Sequence, residues 1–430
     1  MREMKDSGNK WIGIIPCGWS IDRFKYCTVL YTGNSIKDER KNDYEDASFA
    51  KPYISSKDIN RLFSTINYEN GLYIKNNDYS FKVARKNDIL MCIEGGSAGK
   101  KKAMLNQDVC FVNKLCCFHS NYKVEHKFIF YYLCNPAYED EFNYNITGMI
   151  GGVSVSKLGD LNIVYPEIDE QKRIVVYLDE QCKKIDEIMV DIQNQIDTLE
   201  DYKKSIIFEA VTKGLDPNAV MKDSGITFVG KIPAHWELHP VYYYFSEGKI
   251  KNTGCTENNL LSLSYGNIIR KDINTSEGLL PASFSTYNIV EKDDIIIRPT
   301  DLQNDKRSLR TGLVKEKGII TSAYIDLKPK TNVNSRYFHY LLHSYDVKKV
   351  FYNMGNGVRQ GLNFGEFSKL SVFNPSIKEQ EEIAEYLDSK CAKIDSIIED
   401  KKAQLETIEN YKKSLIYEYV TGKKEVPENE

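Results

Sequence analysis

A short segment at the start of the chain returns near its middle, and that return limits what the chain can fold into. Met4-Lys5-Asp6-Ser7-Gly8 recurs as Met221-Lys222-Asp223-Ser224-Gly225. Each copy is followed by a glycine, an Ile-Pro pair and a tryptophan: Gly13, Ile15-Pro16 and Trp19, then Gly230, Ile232-Pro233 and Trp236. A longer stretch from Glu170-Gln171 to Thr212 recurs as Glu379-Gln380 to Thr421, with about half of its positions identical. The two segments enclosed by these copies do not resemble one another. A repeated frame with unlike contents predicts one scaffold displaying two different recognition surfaces.

The longer repeat reads as helix. Leu178, Ile185, Ile192, Leu199 and Ile206 fall seven apart, with Cys182, Met189 and Ile196 four residues after the first three. The second copy gives Leu387, Ile394, Lys401, Ile408 and Leu415, flanked by Cys391, Ile398 and Leu405, and Lys401 is its only clear break. Such a heptad seam predicts a helix whose apolar stripe needs a partner helix. Pro166 and Pro375 stand where the helices can begin, and Gly214 and Gly422 where they end. A helix of about 44 residues spans roughly 66 Å. Packing the two stripes together as an antiparallel pair within the chain gives a rod that holds two domains at a fixed distance and rotation. Packing of each helix on its own domain, or homodimerisation through the seams, is the alternative.

A chain of 430 residues exceeds what one core usually supports. The expected segments are a domain over 1–165, a spacer helix over 166–214, a second domain over 215–374, a second spacer helix over 375–422 and a polar tail over 423–430. No apolar run is long enough for a membrane span, and the first residues lack a signal-like apolar core, so a soluble, cytoplasmic protein is expected. The 10 cysteines include no CxxC, Cys116 and Cys117 are adjacent, and Cys182 and Cys391 lie on helical seams. Reduced, mostly buried thiols are expected, and no metal site. The net charge of −3 conceals an uneven distribution. Residues 169–213 and 378–418 each carry 11 acidic and 7 basic side chains, or −4 apiece, which leaves +5 on the remainder. Local charge, not pI, governs phosphate binding.

Both enclosed segments read as strand-rich mixed domains, with helix-like runs over Lys127–Cys134 and Ser335–Tyr345. They share a skeleton. The loop 55–61, with Ser56 and Lys57, has a counterpart in 264–270, with Tyr265, Asn267 and Arg270. Asp88-Ile89-Leu90 matches Asp294-Ile295-Ile296, and a basic loop follows each. The first basic loop carries Ser97, Lys100, Lys101 and Lys102. The second carries Arg298, Thr300, Asp301, Gln303, Asn304, Lys306, Arg307 and Arg310, and a further loop carries Arg359 and Gln360. Lys and Arg position a protein on phosphates, while Arg, Gln, Asn and Asp make paired hydrogen bonds to base edges. These residues are the candidate DNA contacts; a solvated charged surface is the alternative for any one loop. No catalytic residue is expected. Gly95 to Lys101 departs from the GxxxxGK[ST] of a nucleotide-binding loop.

Taken together, these residues resemble the specificity subunit of type I restriction–modification systems. Asp294-Ile295-Ile296-Ile297-Arg298-Pro299-Thr300-Asp301-Leu302-Gln303, continuing to Ser308-Leu309-Arg310, is one phrase that carries the likeness. The other is the helix start at Pro166/Glu170-Gln171 and Pro375/Glu379-Gln380, leading to Ile174-Val175-Val176-Tyr177-Leu178-Asp179 and Ile383-Ala384-Glu385-Tyr386-Leu387-Asp388. The resemblance covers essentially the whole chain. It implies an α+β protein: two mixed α/β target recognition domains separated by two long antiparallel helices in an intrachain coiled coil, with a pseudo-two-fold repeat. It implies that each domain reads half of a bipartite, asymmetric site in double-stranded DNA, and that the helices set the spacing and dock two methyltransferase subunits. Restriction subunits complete the complex where the system cleaves. S-adenosylmethionine, ATP and Mg belong to those partners, and this chain is expected to hold no cofactor.

Two other functions remain open at this stage: a self-contained methyltransferase or nuclease, and an adaptor that binds proteins instead of DNA. Asn135-Pro136-Ala137-Tyr138 approaches the Asn-Pro-Pro-Tyr of adenine methyltransferases, but Ala137 replaces the second proline and the tetrapeptide follows a helix-like run. Asp108 with Glu125-His126-Lys127 loosely matches a nuclease pattern. Both read as chance.

Overall fold

The computed structural model describes residues 2–148, 151–274, 283–300, 302, 309–330, 332–350, 354 and 361–427. Two compact units emerge: residues 1–194 with 402–430, and residues 195–401. The helical segments expected as units of their own are divided between these two.

The heptad segments are continuous helices, Ile168–Lys213 with 46 residues and Ile377–Val420 with 44. Within the first unit the stretches that belong to it run antiparallel. Tyr177 packs on Tyr419 with ring centroids 4.6 Å apart, and Asp186 accepts from Lys412 at 2.6 Å. Within the second unit Lys203 donates to Asp395 at 2.6 Å. Leu178, Ile185, Ile192, Leu387, Ile394 and Leu415 are buried, and Leu199 and Ile408 half-buried, as a shared apolar seam demands.

Each unit repeats the same frame. In the first, Met4–Asp6 pairs antiparallel with Ile14–Pro16, and in the second Met221–Asp223 pairs with Lys231–Pro233. Beyond each tryptophan a strand pairs with the strand that precedes a spacer helix: Ser20–Arg23 with Asn162–Tyr165, and Glu237–Pro240 with Ser371–Asn374. The repeated motifs therefore bracket each variable domain and close its two ends. In between lies an antiparallel four-stranded sheet. Its order in the first unit is Thr28–Thr32, Leu115–Ser120, Ile89–Cys92, Lys102–Met104. The second unit repeats that order with Phe245–Glu247, Ile325–Pro329, Ile295–Ile297 and Thr311–Leu313.

What differs is the remainder. The first unit adds a second four-stranded sheet in which Val109–Phe111 lies parallel to Ala50–Ile54. The second carries the hairpin Leu261–Ser264/Asn267–Arg270 and the pair Asn288–Val290/Gly318–Ile320.

The glycines after the helices are required twice over. Gly422 has φ +69°, and a Cβ there would sit 2.5 Å from Pro16 Cδ and 3.1 Å from Trp19. Gly214, at φ +75°, would approach Trp236 to 3.3 Å. Lys423 Nζ reaches Ile12 O at 3.1 Å and Lys213 Nζ reaches Val229 O at 2.9 Å, so in each unit the leading segment clasps the end of a spacer helix.

Candidate nucleic-acid interface

The start of each spacer helix is tied to its variable domain by the same side chains. Gln171 is buried; its Nε2 donates to Pro166 O at 2.8 Å and its Oε1 accepts from Glu125 N at 2.8 Å. Gln380 is buried likewise, donating to Pro375 O at 3.0 Å and accepting from Asn334 N at 3.0 Å. Glu125 and Asn334 are themselves N-caps, of the helices His126–Leu133 and Ser335–Val347. The Pro-then-Glu-Gln motif is thus a peg that orients a domain helix against the spacer.

On this frame the expected loops of the first unit come together. Gly95 and Gly99, both at positive φ, turn the chain between the strands Ile89–Cys92 and Lys102–Met104. Lys101 Nζ donates to Ser56 O at 2.8 Å, which fastens the 55–61 loop to the 95–102 loop. Lys57 and Lys100 are exposed at this junction, and Ser56 and Ser97 are half-buried.

Lys102 differs from expectation. It is 3% exposed, and its ammonium binds Leu133 O at 2.5 Å and Glu139 Oε1 at 3.0 Å. An ammonium held inside by a carbonyl and a carboxylate has no phosphate to meet, so Lys102 is a structural pin.

In the second unit Tyr265 (φ +46°) and Gly266 (φ +80°) form a two-residue turn between the strands of the 261–270 hairpin. A non-glycine residue at positive φ costs energy, and Tyr265 is nonetheless 67% exposed. Asn267 is exposed beside it. Arg270 is exposed too, but pairs two-pronged with Glu316, which neutralises much of its charge. Arg298 is half-buried and Thr300 exposed.

Arg310 is the second correction. It is fully buried; its backbone N–H donates to Asp346 Oδ2 at 2.7 Å, and its guanidinium donates to Arg298 O at 3.2 Å and to Thr300 O. Arg310 therefore shapes the start of the loop and does not face DNA. Asp301, Gln303, Asn304, Lys306, Arg307, Arg359 and Gln360 lie outside the described residues.

Other exposed groups escaped notice in the sequence. Phe49, 90% exposed at φ +51°, and Tyr79, 91% exposed, stand at one end of the second sheet of the first unit. Asn76 N donates to Phe49 O at 2.9 Å, and Lys51 Nζ reaches Asn76 Oδ1 at 2.6 Å. Lys75 Nζ, 2.5 Å from Asp46, holds that carboxyl well below the usual range. Aromatic faces beside ammoniums suit contact with bases and sugars. Aromatics in otherwise polar stretches, as in 46–49 and 76–79, were the available signal.

The near-matches to catalytic motifs have structural duties. Asn135 is buried and caps the helix Pro136–Tyr144, accepting from Tyr138 N at 3.0 Å. Glu125 is a cap, Lys127 binds Asp179 at 2.5 Å, and Asp108 accepts from Lys86 N at 2.9 Å.

A family model described as type I restriction modification DNA specificity domain matches residues 27–198 and again 248–407. The chain belongs to the type I restriction–modification DNA specificity family. Both copies of the specificity domain reach from a variable domain into its spacer helix. Among curated relatives in this family, the type I restriction enzyme MjaVIII specificity subunit of Methanocaldococcus jannaschii is 26% identical over 366 residues, 79% of this chain and 80% of the relative. A solved chain from a type I R-M system, described for complex assembly and conformational transition, matches with a TM-score of 0.63 at 14% identity. It covers 95% of this chain and 99% of that one, a likeness of fold. Among the described residues no helix is long and apolar enough to cross a membrane.

Proposed function

We propose that this chain is the DNA-reading subunit of a type I restriction–modification complex, in which each variable domain reads one half of a bipartite, asymmetric site. One observation carries the reading: the DNA specificity domain occurs twice, on a duplicated frame whose loops differ between the copies. A shared frame gives two equivalent attachments, and unlike loops give two different half-sites. The target recognition domains occupy residues 1–165 and 215–374. The helices between and after them set the gap and dock two methyltransferase subunits, joined by restriction subunits where cleavage follows. Methylation and cleavage, with S-adenosylmethionine, ATP and Mg, are the work of those partners.

In the first domain Lys57, Lys100 and Lys101 meet phosphates, with Ser56, Ser97, Phe49 and Tyr79 at the groove. In the second, Tyr265, Asn267, Arg298 and Thr300 take that part, with Arg270 released from Glu316. Asp301, Gln303, Asn304, Lys306, Arg307, Arg359 and Gln360 stay candidate contacts on their residue types. Half-sites approached from one side of B-DNA repeat about every 34 Å, within reach of helices of 46 and 44 residues at about 1.5 Å per residue.

The test mixes the purified chain with its methyltransferase subunits on a library of DNA sites and maps the methylated positions. Methylation confined to a two-part, non-palindromic sequence is expected. Methylation without such a sequence, or with no need for this chain, contradicts the reading.

A further inference from the structure

We propose that Asp88, His119 and His126 form a binding site in the first unit for a divalent transition-metal ion of the zinc class. One ligand atom from each lies within 4.8 Å of the other two, and theirs is the one such group of three among the described residues. Asp88 precedes the strand Ile89–Cys92, His119 lies near the end of the neighbouring strand Leu115–Ser120, and His126 opens the helix His126–Leu133.

Asp88 is 1% exposed. Its Oδ2 is engaged by Arg85 N at 2.8 Å and by the Cys117 thiol at 3.5 Å. Its Oδ1 faces His119 Nδ1 at 2.6 Å, and the rings of His119 and His126 lie 6.0 Å apart at 71°. A buried carboxylate that stays charged needs hydrogen-bond donors and a cation beside it. The second unit shows how the shared sheet meets that need. There the register sets Asp294 in the place of Asp88 and Lys328 in the place of His119, and Lys328 Nζ lies 2.9 Å from Asp294 Oδ2. The residue after the helix N-cap, His126 in the first unit, is Ser335 in the second.

Where one unit builds in an ammonium, the other therefore brings two imidazoles to the same carboxylate. One imidazole suffices for an ion pair, so the second has no place in that pairing. The neutral imidazole is the form that binds metals. Two imidazole nitrogens and a carboxylate oxygen suit Zn²⁺, with water as fourth ligand. Bonds of about 2.0–2.1 Å place tetrahedral ligands roughly 3.3 Å apart, so the 2.6 Å Asp88–His119 contact opens slightly when the ion enters. The bound ion joins the end of a strand to the start of the helix whose Lys127 and Tyr131 grip Asp179 on the spacer. It is a staple within the domain, at the helix that meets the spacer, and independent of what the domain reads.

The experiment uses the full chain, stripped with a chelator and free of any histidine tag. Zn²⁺ is titrated by calorimetry and Co²⁺ by visible absorption, alongside thermal melting. The expected result is one ion per chain, Co²⁺ bands without a thiolate charge-transfer band, and a higher melting midpoint with Zn²⁺. His119→Lys and His126→Ser, which install the second unit's residues, are expected to weaken binding by about tenfold or more with unchanged circular dichroism. Absence of binding, affinity unchanged in both variants, or a thiolate band that assigns the ion to cysteines overturns the proposal.

Discussion

The hydroxyl of Tyr131 donates to Asp179 Oδ1 across 2.7 Å, while Lys127 Nζ holds the other oxygen at 2.5 Å. In the second unit Tyr340 donates to Asp388 Oδ1 at 2.8 Å, and Arg336 holds Oδ2 at 2.7 Å. Each aspartate ends the Tyr-Leu-Asp of its spacer helix, which gives that repeated motif a physical role. Tyr131→Phe should cost about 1 kcal/mol, and Asp179→Ala roughly 1–3 kcal/mol because it strands a buried hydroxyl. Urea unfolding of the full chain reads both; a larger loss from Tyr131→Phe than from Asp179→Ala would contradict the pairing.

The seam offers a second measurement. Leu178 and Leu387 are fully buried at the starts of the two helices. Truncation of either to Ala should lower stability by about 2–5 kcal/mol. Val176→Ala, at an exposed position on the same helix, should stay within about 0.5 kcal/mol. Similar losses at Leu178 and Val176 would mean that the stripe is not what holds the helices.

Charge at the basic loops separates phosphate contacts from structural pins. Lys57→Ala and Lys100→Ala should each lower the slope of log affinity against log salt by about 1, with the fold intact. Lys102→Ala and Arg310→Ala should act through stability, since each removes a buried cation, from Leu133 O and Glu139 or from the Arg298 and Thr300 carbonyls. DNA binding followed over a salt series, with melting on the same samples, distinguishes the two classes.

A pH effect belongs to the second unit. Burial, reinforced by the adjacent Asp294 carboxylate, pushes Asp326 up to about 7 from an ordinary value of 3.8. Between those values the folded chain holds more protons at this site than the unfolded chain. Stability therefore falls as pH rises through that window, and the full cost stands above it. Asp326→Asn should raise the melting midpoint by a few degrees at pH 8 and by little at pH 5. An equal shift at both pH values would show that the carboxyl is not the cause.

The two domains illustrate how far local pattern reaches. The runs expected as helix over Lys127–Cys134 and Ser335–Tyr345 are helices at His126–Leu133 and Ser335–Val347, the first displaced by one residue at both ends and the second two residues longer at its C-terminal end. The shared sheet follows from the matched Asp88-Ile89 and Asp294-Ile295 phrases. The basic loops were found as loops, but which of their cations face outward was not legible. Lys102 is turned in by Glu139, and Arg310 sits beside Asp346, partners remote in sequence. Phe49 and Tyr79 were missed because an exposed aromatic and a core aromatic read alike in one dimension.

By itself the sequence determined the duplicated frame, the two heptad helices, their proline starts and glycine ends, and the family likeness. Those signals are periodic or span a few neighbours, and helix geometry and backbone φ respond to such short-range order. Tertiary structure alone decided the pinned lysine and arginine, the peg made by Gln171 and Gln380, and the meeting of Asp88 with His119 and His126. Burial and hydrogen-bond satisfaction depend on which distant residue arrives alongside, and only the folded chain brings those residues together.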